Sequence, residues 1–307
     1  MRYHSPIYYF LKPLIPRKFQ ILLRRLIVQR KLLRYSEVWP IDPEAGLPPP
    51  RWKGWPKSKR FALVLTHDVE TAKGQEKSRH LAELEKGLGF RSSFNFVPKR
   101  YHVQPELRKY LIDNGFEVGV HGLYHDGKYL SSREFFRGRA LQINKYLKEW
   151  GAVGYRSPSM LHNLEWFHDL DINYDASTFD TDPFEPQPTG VRTIFPFWVG
   201  KSGTMKGYVE LPYTLPQDFT LFVLFQGQDI DIWVRKLDWI AQKGGMALVN
   251  VHPDYMRFDG KQADVQEYPA EYYEEFLKYV SQKYEGKYWH VLPKNLAEFW
   301  AKDFLQK

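Results

Sequence analysis

Cysteine is absent from the 307 residues, which excludes disulfides, thiolate metal sites and a cysteine nucleophile. A transition metal would have to be held by histidine and carboxylate, and the chain has 10 histidines. Also missing is any run approaching the ~20 apolar residues that a membrane-crossing helix needs. Acidic residues are absent from positions 1–35. What is plentiful excludes disorder: 43% of the residues are apolar and 17% aromatic, enough for a large core.

The net charge of +8 is unevenly placed. Residues 1–60 hold fourteen Lys/Arg but only Glu37, Asp42 and Glu44, so they carry +11 and the remainder −3. A near-neutral body argues against nucleic acid as a partner. The basic end reads as an arm. From Phe19, apolar residues recur at 19, 22, 23, 26 and 27, with Arg24, Arg25, Arg30 and Lys31 between them, the spacing of an amphipathic helix. Pro13 and Pro16 interrupt the aromatic stretch of Tyr8, Tyr9 and Phe10 before it. Such a helix suits an anionic membrane surface, giving peripheral contact through residues 1–35. The alternative is that its apolar stripe packs on the body and leaves the arginines in water. Six prolines and three tryptophans between Trp39 and Pro56 describe an extended segment lying on the body. These features divide the chain into an arm and linker, 1–57, and a main domain, 58–307.

In the main domain, strand-like and helix-like segments alternate. Strands are expected at Phe61–Thr66, Ser92–Val97, Phe116–Val120, Val153–Tyr155, Asn173–Ser177, Met246–Val251 and Trp289–Leu292. Helices are expected at Gln75–Leu88, Pro105–Asn114, from a Ser131/Glu134 capping box to Trp150, near Leu164–Leu170, and at Asp229–Lys243, Glu271–Tyr284 and Asn295–Lys302. Residues 190–226 read as hairpins or irregular strands. This alternation predicts a parallel α/β barrel, whose chemistry sits where strands end and loops begin.

The strand ends carry the polar residues: Thr66-His67-Asp68-Val69-Glu70, His121-Gly122-Leu123-Tyr124-His125, Tyr155-Arg156-Ser157-Pro158, Tyr174-Asp175 and Val251-His252-Pro253-Asp254. His121 and His125 are four apart, on one face if the segment turns helically. With a carboxylate they make a two-histidine, one-acid site for a divalent metal. Asp68 and Glu70, two apart, point to the same side of an extended chain; one can bind metal while the other serves as base. Arg156 is suited to hold Asp68 ionised, and His252 to protonate a leaving group from across the barrel.

Taken in order, these motifs resemble the polysaccharide deacetylases, carbohydrate esterase family 4, over about residues 60–295. The family opens with Thr-Phe-Asp-Asp-Gly, the first Asp a base and the second a metal ligand. Here Thr66 and Asp68 match, Val69 stands at the usual ligand position, and Glu70 fills the place of the later acid in relatives that carry Asp-x-Asp. His121 and His125 match its His-x-x-x-His, with Gly122 where Ser or Thr is usual. Arg156 and Pro158 match Arg-x-Pro-x-Gly, with Met160 for the glycine. His252 matches the last motif, with Asn250 at a usually apolar place, and Tyr174-Asp175 is a loose match.

The resemblance implies a distorted (β/α)7 barrel that removes N-acetyl, or sometimes O-acetyl, groups from a carbohydrate. It implies a divalent metal, zinc first and cobalt or nickel next, on Glu70, His121 and His125. Asp68, Arg156 and His252 would carry catalysis, with Tyr155, Pro158, Asp175, Trp198 and Tyr255 on the substrate. The expected setting is cytoplasmic, at the inner membrane face, in surface-polysaccharide assembly. Two alternatives remain open: hydrolysis of another C–N amide bond, including cyclic ureides, or a glycan-binding barrel without turnover.

Overall fold

The computed structural model describes residues 17–305 apart from 127, 205 and 261–263. Strand β1 (Phe61–Val69) is buried along its whole length and organises the sheet. It outruns the apolar stretch because its polar residues all find partners. Thr66 donates to the Val249 carbonyl at 2.9 Å, His67 Nε2 meets Glu85 at 2.8 Å, and Asp68 accepts from two asparagine amides.

One edge of β1 pairs in parallel with β8 (Met246–Val251). The other pairs with β2 (Ser93–Phe96) toward its C-terminal end and with β11 (Tyr288–His290) toward its start. From β2 the parallel sheet continues through β3 (Glu117–His121), β4 (Gly154–Arg156), β5 (Tyr174–Asp175) and β7 (Gly207–Glu210), and β6 (Phe197–Gly200) adds antiparallel to β7. After β7 the chain turns back to β8: the Thr214 and Leu215 amides both donate to the Leu248 carbonyl. Strands β1, β2, β3, β4, β5, β7 and β8 thereby curl into a distorted parallel (β/α)7 barrel, the predicted class. A short parallel ribbon of β9 (Met256–Arg257) and β10 (Tyr268–Pro269) lies apart.

The outer layer is helical: α2 (Ala72–Gly87), α3 (Pro105–Asp113), α4 (Arg133–Trp150), α5 (Asp231–Lys243), α6 (Glu271–Lys283) and α7 (Pro293–Leu305). Two local expectations change. The cap of α4 is Ser132, whose hydroxyl accepts from the Phe135 amide at 3.1 Å, so the Ser131/Glu134 pair is one residue out of register. The helix expected near 164–170 is a single 3-10 turn, Trp166–Asp169. Asn163 caps its start, and the Asp169 carbonyl that would extend it accepts from Asn144 instead.

Helix α1 (Arg17–Tyr35) precedes the barrel; the aromatic stretch with Pro13 and Pro16 lies outside the described residues. The linker tryptophans pack on the body. Trp39 is buried edge-on against Phe184 and Phe225, and Trp55 donates to the Gly244 carbonyl at 2.8 Å among Trp289, Phe299 and Trp300. Burying one such ring contributes about 1.5–3 kcal/mol, so these contacts hold the segment down. No described helix is long and apolar enough to cross a membrane.

Candidate active site

Strand alternation builds the first wall. In β1, Thr66 and Asp68 face Asn250 and Asn95 inside the barrel, while His67 points outward to Glu85 of α2. Glu70, one residue past β1, continues the inward series. The Tyr255 hydroxyl donates to its Oε2 at 3.1 Å, and its backbone amide donates to Asp254 at 2.9 Å. Val69 falls on the outward side and is fully buried.

The two histidines come together without a helix. His121 ends β3, Gly122 turns with φ +62° and His125 adopts φ +56°, a left-handed conformation that a β-carbon disfavours. The helical turn expected between them is therefore replaced by a bend that brings the rings to 5.0 Å. Glycine is required at 122 for a second reason: a β-carbon there would lie 2.5 Å from Pro158 Cγ.

Glu70, His121 and His125 each present a ligand atom within 4.8 Å of the others. Glu70 Oε1 is 3.1 Å from His125 Nε2. The buried Nε2 of His121 has no hydrogen-bond partner among the described residues, while its Nδ1 lies 3.2 Å from the Arg156 carbonyl. A proton on Nδ1 thus leaves an unused lone pair aimed at the cluster. Burial pushes His121 down to about 4, which outweighs the nearby carboxylates and keeps the imidazole neutral. Burial would raise Glu70, but His125 beside it holds its carboxyl well below the usual range. The donors present fit a divalent cation of the kind that accepts two imidazoles and a carboxylate.

Asp68 is 2% exposed. Asn95 donates to its Oδ1 at 3.1 Å and Asn250 to its Oδ2 at 2.9 Å. Arg156 Nε stands 3.7 Å away, an ion pair without a hydrogen bond, and the guanidinium donates to Thr66 at 3.1 Å. Burial opposes ionisation of Asp68, yet His121, Arg156 and His252 outweigh it and bring the value to about 2. His252 Nε2 approaches Asp68 at 4.0 Å. Its Nδ1 is 2.7 Å from Asp218, which also accepts from the His252 amide and the Tyr268 hydroxyl. Burial disfavours the imidazolium, but Asp218 overcomes this and raises His252 to about 10.

The other predicted positions are spread more widely. Tyr255 sits at the cluster through Glu70, and its ring lies 5.2 Å from that of His252. Pro158 is buried beside Gly122. Tyr155 is buried against Phe167, and Asp175 is buried with Ser177 donating to it at 2.6 Å. Trp198 lies on β6, its ring against Gly207. Four partners of the cluster were not singled out from sequence: Asn95, Asn250 as a donor, Asp218 and Asp254. Asn95 and Asn250 were accessible, since each falls on the inward parity of its strand. Asp218 gives no such signal, because it precedes a π-helical turn, Phe219–Leu224, inside the irregular region.

The fold is shared with solved structures at low sequence identity. A provisionally named polysaccharide deacetylase from Mycobacterium smegmatis aligns with a TM-score of 0.64 at 18% identity, covering 82% of this chain and 94% of that one. A second such protein, from Pseudomonas aeruginosa PAO1, gives 0.62 at 17%, covering 81% and 93%. Puue allantoinase gives 0.60 at 16%, covering 80% and 92%. No family model and no curated protein matches the sequence.

Proposed function

We propose that this protein is a metal-dependent hydrolase of the polysaccharide-deacetylase kind, removing N-acetyl or O-acetyl groups from a carbohydrate during surface-polysaccharide assembly in the cytoplasm. One observation carries the reading: the unused Nε2 lone pair of His121 converges with Glu70 and His125 beside an ionised Asp68 and an Asp218-held His252. A divalent cation on Glu70, His121 and His125, zinc by donor type with cobalt or nickel next, would supply Lewis acidity toward a carbonyl oxygen. Asp68 accepts the proton of the attacking water. Asn95 and Asn250 hold its carboxylate in one orientation, and Arg156 keeps it charged. His252, protonated and oriented by Asp218, delivers a proton to the departing nitrogen or oxygen. Tyr255, whose hydroxyl reaches Glu70, contacts the sugar at the rim.

The fold shared with Puue allantoinase favours a second reading, hydrolysis of another C–N amide bond on the same residues. The test measures bound metal in purified protein and acetate release from N-acetylated oligosaccharides. Stoichiometric metal, release of acetate and its abolition by Asp68→Asn support the proposal. Absence of turnover on every acetyl and amide substrate with zinc, cobalt or nickel sinks both readings and leaves a glycan-binding barrel.

A further inference from the structure

Helix α1 is mounted on the barrel with its apolar stripe turned away. Ile21 is 1% and Val28 4% exposed, whereas Phe19, Leu22, Leu23, Leu26 and Ile27 are 46–63% exposed and Leu33 84%. At roughly 100° per residue, these two sets fall on opposite sides of the helix. The side that meets the body carries the cations instead. Arg25 donates from Nε to the Val223 carbonyl at 2.9 Å and from Nη2 to the Val265 carbonyl at 2.8 Å. Lys31 donates to the Pro183 carbonyl at 3.1 Å, and Arg24 lies 4.8 Å over the Phe219 ring. These contacts lock the rotation of the helix. Neither packing expected from the sequence alone included a barrel contact made through arginine.

The outward face therefore presents a contiguous apolar stripe, and Arg30 and Arg34, both exposed, lie on that same face. An amphipathic helix that faces solvent with its apolar side marks a contact surface. The identity of the contact follows from charge: no acid lies anywhere in positions 1–35, and the cations placed on this outward face are Arg30 and Arg34. A basic, aromatic-bearing apolar face of one helix's length suits an anionic lipid surface, where the apolar side chains enter the acyl boundary and the arginines meet headgroup phosphates. We infer that α1 docks the protein on an anionic phospholipid bilayer through Phe19, Leu22, Leu23, Leu26 and Ile27.

The position of the helix gives this docking a direction. Phe219, beneath Arg24, packs at a tilt with its ring centroid 4.9 Å from that of Tyr255, whose hydroxyl reaches Glu70. Docking through α1 would thus hold the Glu70–His252 end of the barrel beside the lipid surface. The inference stands on the packing of α1 and does not depend on the chemistry assigned to that end.

The full chain is sedimented with phosphatidylglycerol/phosphatidylcholine vesicles and with phosphatidylcholine vesicles alone. The wild type is expected to pellet with the anionic vesicles, and each of Leu22→Glu and Leu26→Glu to lower that binding by about tenfold or more, since each loses its acyl-chain contact. Arg30→Ala combined with Arg34→Ala should erase the preference for anionic over neutral lipid. Melting temperatures of these surface variants should match the wild type, separating lost docking from lost folding. Failure of the wild type to pellet, or pelleting unchanged by the glutamate substitutions, overturns the inference. So does a dimer in light scattering that Leu22→Glu dissolves while no vesicle binding is found, because the stripe would then belong to a second copy of the chain.

Discussion

Asp218 lies 2.7 Å from Nδ1 of His252 and accepts the His252 backbone amide at 2.8 Å, so one carboxylate fixes both the ring and the chain that carries it. The proton on Nδ1 leaves Nε2 facing Asp68. Replacing Asp218 by Asn keeps the size but removes the charge that overcomes burial and holds His252 near 10. The expected outcome is a loss of about 10²–10⁴ in kcat, the span typical of a general acid. The alkaline limb of the pH–rate profile should also move to lower pH. An unchanged limb would show that His252 does not act as the acid.

Removal of metal provides a second check. Dialysis against a chelator should abolish turnover, and zinc, cobalt or nickel should restore it. Glu70→Gln keeps the hydrogen bond from Tyr255 but removes a charged donor, so metal affinity should fall by more than about 100-fold. Retention of stoichiometric metal by this variant, measured by mass spectrometry, would exclude Glu70 as a ligand.

Gly122→Ala tests the bend that joins the histidines. The substitution sets a β-carbon 2.5 Å from Pro158 in a residue with φ +62°. A cost of roughly 2 kcal/mol or more is expected from left-handed strain and overlap together, read as a lowered urea midpoint. A variant as stable as the wild type would mean that this bend relaxes freely.

Glu117 gives the pH dependence of stability. Burial pushes its carboxyl up to about 7, against the opposing hydrogen bonds from Tyr174 at 2.8 Å and from the Lys294 amide. The folded protein therefore keeps this proton over a range where the unfolded chain has lost it. Stability is fully present below the ordinary glutamate value and declines as pH rises to about 7, by roughly 3 kcal/mol from this group. Glu117→Gln should flatten that decline between pH 5 and 8 in denaturant titrations. An identical slope in the variant would assign the dependence to other groups.

Much of the site can be read before folding because strands have period two. Thr66, Asp68 and Glu70 share one parity, Asn250 and His252 share another, and Asn95 alternates with Phe94 and Phe96. Parity cannot supply Asp218, which approaches His252 only because the segment after β7 folds back onto β8. The spacing of His121 and His125 is informative about their pairing but not about its means, since the bend takes left-handed backbone at both Gly122 and His125 rather than a helical turn. The orientation of α1 was likewise beyond periodicity. A helical repeat locates an apolar stripe, and the carbonyls of Val223 and Val265 decide which side meets the barrel.

Local chemistry in the chain determined the alternation of strands and helices, the inward parity of the acids and the dependence of any metal on imidazole and carboxylate. Those properties follow from residue type and backbone period, which need no distant contact. Tertiary structure decided which carboxylate orients His252, which amides hold Asp68 and which face of α1 looks outward. Each of these joins residues far apart in sequence, and no local pattern encodes the energy of a contact between them.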